Sequence, residues 1–192
     1  MKKISLLLLV AWSCLLQAQK TYQFSVDSVA KVSVAGTSTL HEWKATAATV
    51  TDFPQQIKLN LIKGERIDSF AFVVAVASLD GGRGASMNAK ITKALLADAH
   101  PTISYQQISP AILEVQEEGN FVLSSIGLLS MAGVSKEIQV TVNIKENSSG
   151  ALVLSGKKDL QMSDFGIKPP SALFGQIQTD DAITVNFEFV YH

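Results

Sequence analysis

One cysteine, five prolines and three histidines are all that a 192-residue chain contains of those types, and each scarcity excludes something. Cys14 has no second cysteine to bond to, and it stands inside an apolar run near the N-terminus. A structural disulfide and a thiolate metal site are therefore ruled out. Zinc wants three or four His, Cys or carboxylate ligands in close groups. His41-Glu42 is followed by Trp43-Lys44 instead of completing H-E-x-x-H, and His100 sits beside Pro101. His192 is the last residue, where a chain is expected to fray. No metal and no cofactor are expected. Sixteen basic residues stand against seventeen acidic ones, so there is no basic surplus for a nucleic acid to use.

Catalytic motifs are missing too. There is no G-x-S-x-G nucleophile elbow. Gly81-Gly82-Arg83-Gly84 is glycine-rich, but it fits neither the phosphate-loop nor the dinucleotide pattern and reads as a flexible loop feeding a helix. Asn147-Ser148-Ser149 matches a glycosylation sequon, a weak signal alone. No catalytic residue is assigned.

No apolar run reaches the roughly 20 residues of a membrane-spanning helix. Ile4 to Leu16 is a short one, preceded by Lys2 and Lys3 and followed by Leu16-Gln17-Ala18. That order is the pattern of a secretory signal, here residues 1–18 with cleavage after Ala18. A lipoprotein signal at Cys14 is the weaker alternative, because Trp12 replaces a small residue in Ala11-Trp12-Ser13-Cys14. Cleavage would take the formal charge from −1 to −3 and remove the only thiol. The expectation is a periplasmic or secreted protein with no stable membrane insertion once the signal is gone.

What the chain has is apolar material: 47% hydrophobic residues against 17% charged, enough for one well-filled core. Much of it alternates. Tyr22, Phe24 and Val26 share one parity, as do Phe70, Phe72, Val74 and Val76. Ile138, Val140, Val142 and Ile144 form a third set, and Ile183, Val185, Phe187, Phe189 and Tyr191 a fourth. Period-2 patterns of this kind belong to antiparallel strands with one face inward and one in water. Shorter candidates run over 30–38, 56–62, 102–107, 111–116, 121–129 and 151–160. Turn signals such as Asp52-Phe53-Pro54, Asp80-Gly81-Gly82, Ala132-Gly133 and Asn147 to Gly150 separate them. About eight to ten strands predict a sandwich or a closed barrel. One segment differs: Ser86 to Ala99 places Met87, Ile91, Leu95 and Leu96 at helical spacing, with Ser86 as N-cap and Pro101 as stop. It is a lid over a sheet opening or a plain crossover. No repeat or second-domain boundary is visible.

The inward parities carry Phe70, Phe72, Val74, Tyr105, Val140, Val142, Phe187 and Phe189, and the helix adds Ile91 and Leu95. A small barrel fills its interior with such side chains or leaves a ligand cavity, and composition leaves both open.

Three stretches carry a resemblance. The first is Gly36-Thr37-Ser38-Thr39-Leu40-His41-Glu42-Trp43. The second is Met87-Asn88, Lys93-Ala94-Leu95 and His100-Pro101-Thr102-Ile103-Ser104-Tyr105. The third pairs Gly127 to Lys136 with Leu160-Gln161-Met162-Ser163-Asp164-Phe165-Gly166-Ile167-Lys168-Pro169-Pro170. In this order they resemble the YceI-like family, over residues 20–192. The resemblance implies an extended, lipocalin-like antiparallel β-barrel closed around a long apolar channel, with one α-helix inserted around residues 86–98. Members bind polyisoprenoids, quinone-like chains or fatty amides; they are exported, often dimeric, and have no assigned catalytic residues. In the commoner branch the helix region carries an Arg-Asp pair; here Arg83 is followed by Gly84, so no contact of that pair is carried over.

The resulting expectation is a binding protein, not an enzyme, for an isoprenoid or other long-chain lipid, and a homodimer is one state it implies. Its apolar lining comprises the ten residues above with Met162 and Phe165. Its polar rim comprises His41, Trp43, Asn88 and Asp164, although Trp43 could be a packed corner and Asp164 a turn cap before Gly166. A packed barrel without ligand stands as the alternative, and an ester hydrolase as a weaker one.

Overall fold

The computed structural model describes residues 19–117 and 119–192. The expected signal segment and Cys14 lie outside the described residues. The first third forms β1 (Lys20–Gln23), β2 (Val29–Ser38), β3 (Trp43–Ala47), β4 (Val50–Thr51), β5 (Gln56–Leu59) and β6 (Arg66–Ile67). Next come β7 (Ala71–Ala75), β8 (Leu79–Asp80), helix α1 (Ala85–Ala94), β9 (Thr102–Gln107), β10 (Ala111–Ile112) and β11 (Glu114–Glu117). The long strands follow: β12 (Asn120–Met131), β13 (Val134–Glu146), β14 (Leu152–Gln161), β15 (Ser171–Ala172) and β16 (Ile177–Tyr191).

All pairings are antiparallel, and the main ladder runs β4-β7-β9-β12-β13-β14-β16-β2-β3-β8. Its two ends meet. β3 and β4 are halves of one strand, and β7 and β8 are halves of another, broken by a 3-10 turn at Val76–Ser78. β4 pairs with β7 and β3 with β8, so the ladder returns to its start and closes a barrel. Ser78 stitches the break: its carbonyl accepts from Ala48 N–H (3.0 Å), and its hydroxyl oxygen accepts from Thr49 N–H (3.2 Å). Closure satisfies strand edges that an open sheet would leave exposed.

Local sequence explains the long hairpins. Ala132 and Gly133 both have positive φ (49° and 82°), the twist that a two-residue hairpin turn between β12 and β13 demands. Gly133 is needed for a second reason, since a Cβ there would lie 2.6 Å from the half-buried His100 ring. Inward registers follow the alternation: Phe121, Leu123, Ser125, Leu129 and Met131 on β12 are buried, and Ile183, Phe189 and Tyr191 on β16 likewise.

Several expectations need correction. β1 ends at Gln23, and Val26 is wholly exposed on a turn in which Ser28 N–H bonds the Ser25 carbonyl. Three alternating residues did not make a longer strand because the pairing with β5 ends one residue further on, where Phe24 N–H bonds the Gln55 carbonyl, and the chain then turns at Ser25. His192 does not fray: its backbone exchanges hydrogen bonds with Gln23. The strand expected over 56–62 stops at Leu59, and 111–116 is interrupted at the fully buried Leu113. The helix begins after Gly84 (φ 78°), with no side-chain cap from Ser86, and it ends at Ala94, well before Pro101. Leu96 adopts a left-handed backbone (φ 54°), and Ala97 and His100 donate back to Thr92 and Leu96, which ends the helix there.

Two buried clusters flank the barrel interior. The floor joins Tyr22, Leu59, Leu113, Leu152, Phe189 and Tyr191, with Phe24 and Phe53 packed against them. The upper cluster joins Met131, Val140, Leu160, Met162, Phe165 and Ile167.

Candidate functional site: an apolar cavity inside the barrel

Between the clusters lies a cavity of about 490 Å³, within the usual range for small-molecule pockets. Its deep wall is aromatic. Phe70, Phe72, Tyr105 and Phe189 stand with ring centroids 5.2 to 6.4 Å apart, mostly tilted or edge-on. Val74, Val140, Val142 and Phe187 continue the lining from β7, β13 and β16, and Met162 closes it from the 3-10 turn after β14. Met87, Ile91 and Leu95 of the helical segment also border the space, so α1 covers the opening as a lid. None of its residues is fully buried, whereas Gly81 allows a close approach: a Cβ there would lie 2.5 Å from Met87 Cγ.

Polar groups on the wall are mostly spoken for. Tyr105 and Ser125 bond each other through their hydroxyls (2.6 Å), and burial raises the Tyr105 pKa. Gln107 Nε2 donates to the carbonyls of Ile67 and Ser109. These tyrosine, serine and glutamine groups of the wall are therefore satisfied within the protein, and the deep interior presents mainly carbon to a guest.

The mouth is built by the turn after β2. Ser38 Oγ accepts from His41 N–H and Leu40 N–H and donates to the His41 carbonyl. That fold-back sets His41 and Trp43 at the opening. The Trp43 ring lies over Gly36, where a Cβ would be 2.6 Å from it, and its Nε1 donates to the Thr37 carbonyl (3.1 Å). His41 Nδ1 donates to the Glu42 carbonyl (3.0 Å), while Arg83 Nη1 donates to His41 Nε2 (2.6 Å). These two bonds require the tautomer with its proton on Nδ1. Ser38 touches the backbone of His41 and not its ring. Among the described residues no serine hydroxyl bonds either the His41 or the His100 ring, the arrangement an ester hydrolase would need.

Three expected site residues fall elsewhere. Phe165 is buried in the upper cluster, with Lys136 Nζ 5.9 Å above its ring, because the 3-10 turn rotates it behind the wall. Asp164 on the same turn faces outward and pairs with Lys136 (2.8 Å). Asn88 lies on the helix flank, where its Oδ1 accepts from Gly81 N–H (2.9 Å) and its amide bonds Asp80, holding the loop instead of the rim. The remaining thirteen border the cavity.

Sequence reading missed the cationic lining residues Lys44, Lys90 and Lys158, and gave Arg83 no role beyond its loop. For Lys158 a signal existed: it shares the parity of Leu152, Leu154 and Leu160, an inward register.

Fold and site together define a closed antiparallel barrel with an internal apolar cavity under a helical lid. A model of the YceI-like domain matches residues 16–191, and the chain belongs to the YceI-like family. Solved structures of the same fold include Burkholderia cenocepacia BcnA (TM-score 0.59, 15% identity, 84% of this chain and 95% of that one). Another is a polyisoprenoid binding domain from Saccharophagus degradans implicated in plant cell wall breakdown (0.58, 10%, 91% and 98%). The YCEI protein of Campylobacter jejuni is a third (0.55, 16%, 77% and 84%). No curated protein matches the chain.

Proposed function

We propose that this chain is a binding protein, not an enzyme, that holds a long-chain apolar lipid in the barrel interior for storage or transport. An isoprenoid, a quinone-like chain or a fatty amide fits the description. The observation that carries this is the cavity of about 490 Å³, lined by aromatic and aliphatic side chains from one inward register and covered by a helix of which no residue is fully buried. A packed barrel would have filled that space. Each methylene moved there from water contributes about 0.8 kcal/mol before binding costs are subtracted. A structural neighbour described as a polyisoprenoid binding domain supports the same reading. The signal-like N-terminus favours work outside the cytoplasm, in the periplasm or beyond the cell.

Native mass spectrometry of the detergent-free protein tests this directly. The expected result is a discrete added mass that solvent extraction removes, and a doubled polypeptide mass if the protein is a homodimer. A bare chain that stays bare after incubation with ubiquinone-like, fatty-amide and fatty-acid ligands would sink the proposal in favour of a barrel without ligand.

A further inference from the structure

We infer that the lipid bears an anionic head group, a carboxylate or phosphate, and that Lys158 receives it; this rests on the lipid-binding reading above. Lys158 stands in the inward register of β14, between Leu154 and Leu160, pairs in register with Val185 of β16, and borders the cavity. It is half-buried and, among the described residues, has neither an ion-pair nor a hydrogen-bond partner. An ammonium set in an apolar wall without a counter-charge is unfavourable. An acidic ligand atom would supply that charge through a charge-assisted hydrogen bond. The lysine's methylene stem meanwhile remains against the apolar lining.

The rest of the site repeats the same sign. Among the described residues, every charged one that borders the cavity is a cation: Lys44, Arg83, Lys90 and Lys158. No described aspartate or glutamate borders it, although acidic residues slightly outnumber basic ones in the chain. Carboxylates on β14 and on the paired β16 have other partners. Asp159 accepts from Thr184, Asp180 from Thr37, and Asp181 from Ser163. Segregation of this kind draws in and holds an anion. The β16 ladder orders the depth: Phe189 lies deepest, then Phe187, then Val185 opposite Lys158, then Ile183 towards the mouth. A head group at Lys158 leaves the tail to run down towards Phe70, Phe72 and Phe189, with Arg83 and Lys90 on the approach.

The test compares three guests with one tail: palmitate, hexadecyl phosphate and hexadecanol. Equimolar mixtures compete at neutral pH for the delipidated protein, and native mass spectrometry reads what is bound. Wild type should retain each acid about tenfold over the alcohol, the size of one hydrogen bond to a charged group. Lys158→Met should bring that ratio close to one while hexadecanol still binds, and Lys158→Arg should keep the preference. The ratio of palmitate to hexadecyl phosphate tells carboxylate from phosphate. Wild type that binds alcohol and acids equally would overturn the head-group assignment and leave the lipid reading intact, as would a preference that survives Lys158→Met. Failure to bind any of the three overturns both. The wild-type comparison stands alone should Lys158→Met not fold.

Discussion

The two ends of this barrel are made differently. At the floor, aromatic rings lock together: Phe24 against Phe53 (4.6 Å) and Tyr191 (5.6 Å), and Phe53 against Phe189 (5.6 Å). Tyr22 reaches past them to donate to Glu146 (2.8 Å), which also pairs with Lys20 (2.7 Å). At the mouth, a ten-residue helix with no fully buried side chain lies over the opening, and Leu40 remains 65% exposed beside it. Burial of this density makes the floor part of the global folding unit, whereas a thinly packed lid opens locally at lower free energy. A container needs that asymmetry, because a guest must enter without the barrel unfolding.

Paired truncations probe the difference most strongly. Phe189→Ala removes a fully buried ring and should lower unfolding free energy by about 3–5 kcal/mol. Ile91→Ala removes a half-buried lid side chain and should lower it by only about 1 kcal/mol, while speeding lipid release. Urea titration gives the first quantity and a lipid-exchange time course the second. Equal destabilisation by both would make the lid part of the core and erase the contrast.

Tyr191→Phe sharpens the floor. The Tyr191 hydroxyl is buried with no partner among the described residues, and that burial pushes its pKa far up. Removing an unsatisfied polar group should leave stability unchanged or raise it by about 1 kcal/mol. A loss of stability in the same titration would mean that the hydroxyl has a partner after all.

The smallest effect lies at the rim of the floor. Hydrogen bonds from Lys20 and Tyr22 hold the Glu146 carboxyl below its ordinary value of 4.5. A carboxyl depressed in the folded state contributes stability above pH 4.5, and this is lost as pH falls through its lowered folded value. Melting temperature should therefore drop slightly more between pH 5 and pH 3 in wild type than in Glu146→Gln. Parallel acid profiles would show that the exposed Lys20 pair contributes nothing measurable.

Much of this molecule is legible residue by residue. The alternation of Ile183 to Tyr191 and Ile138 to Ile144 reads directly as inward faces, and Ala132-Gly133 as a hairpin turn, because side-chain direction and turn twist are local properties. Thirteen of the sixteen anticipated site residues border the cavity, and those on strands, such as Phe72, Val140 and Phe187, do so for the same reason. The three that lie away from the cavity have physical causes as well. Phe165 and Asp164 sit on a 3-10 turn, where period-2 parity no longer applies, and Asn88 is captured by a loop amide, Gly81, brought close by the fold. Lys158 was passed over because charge reads as a solvated face unless register is weighed first.

Sequence alone determined the antiparallel strands, their inward parities, the helical interruption and the family. Only the tertiary structure decided that two broken strands, β3–β4 and β7–β8, meet across Ser78 and close the sheet. It also decided that the enclosed space stays open, and that a lysine on an inward register faces it. Parity depends on neighbours one and two residues away, whereas closure, cavity volume and an unpaired charge depend on partners brought together from distant parts of the chain.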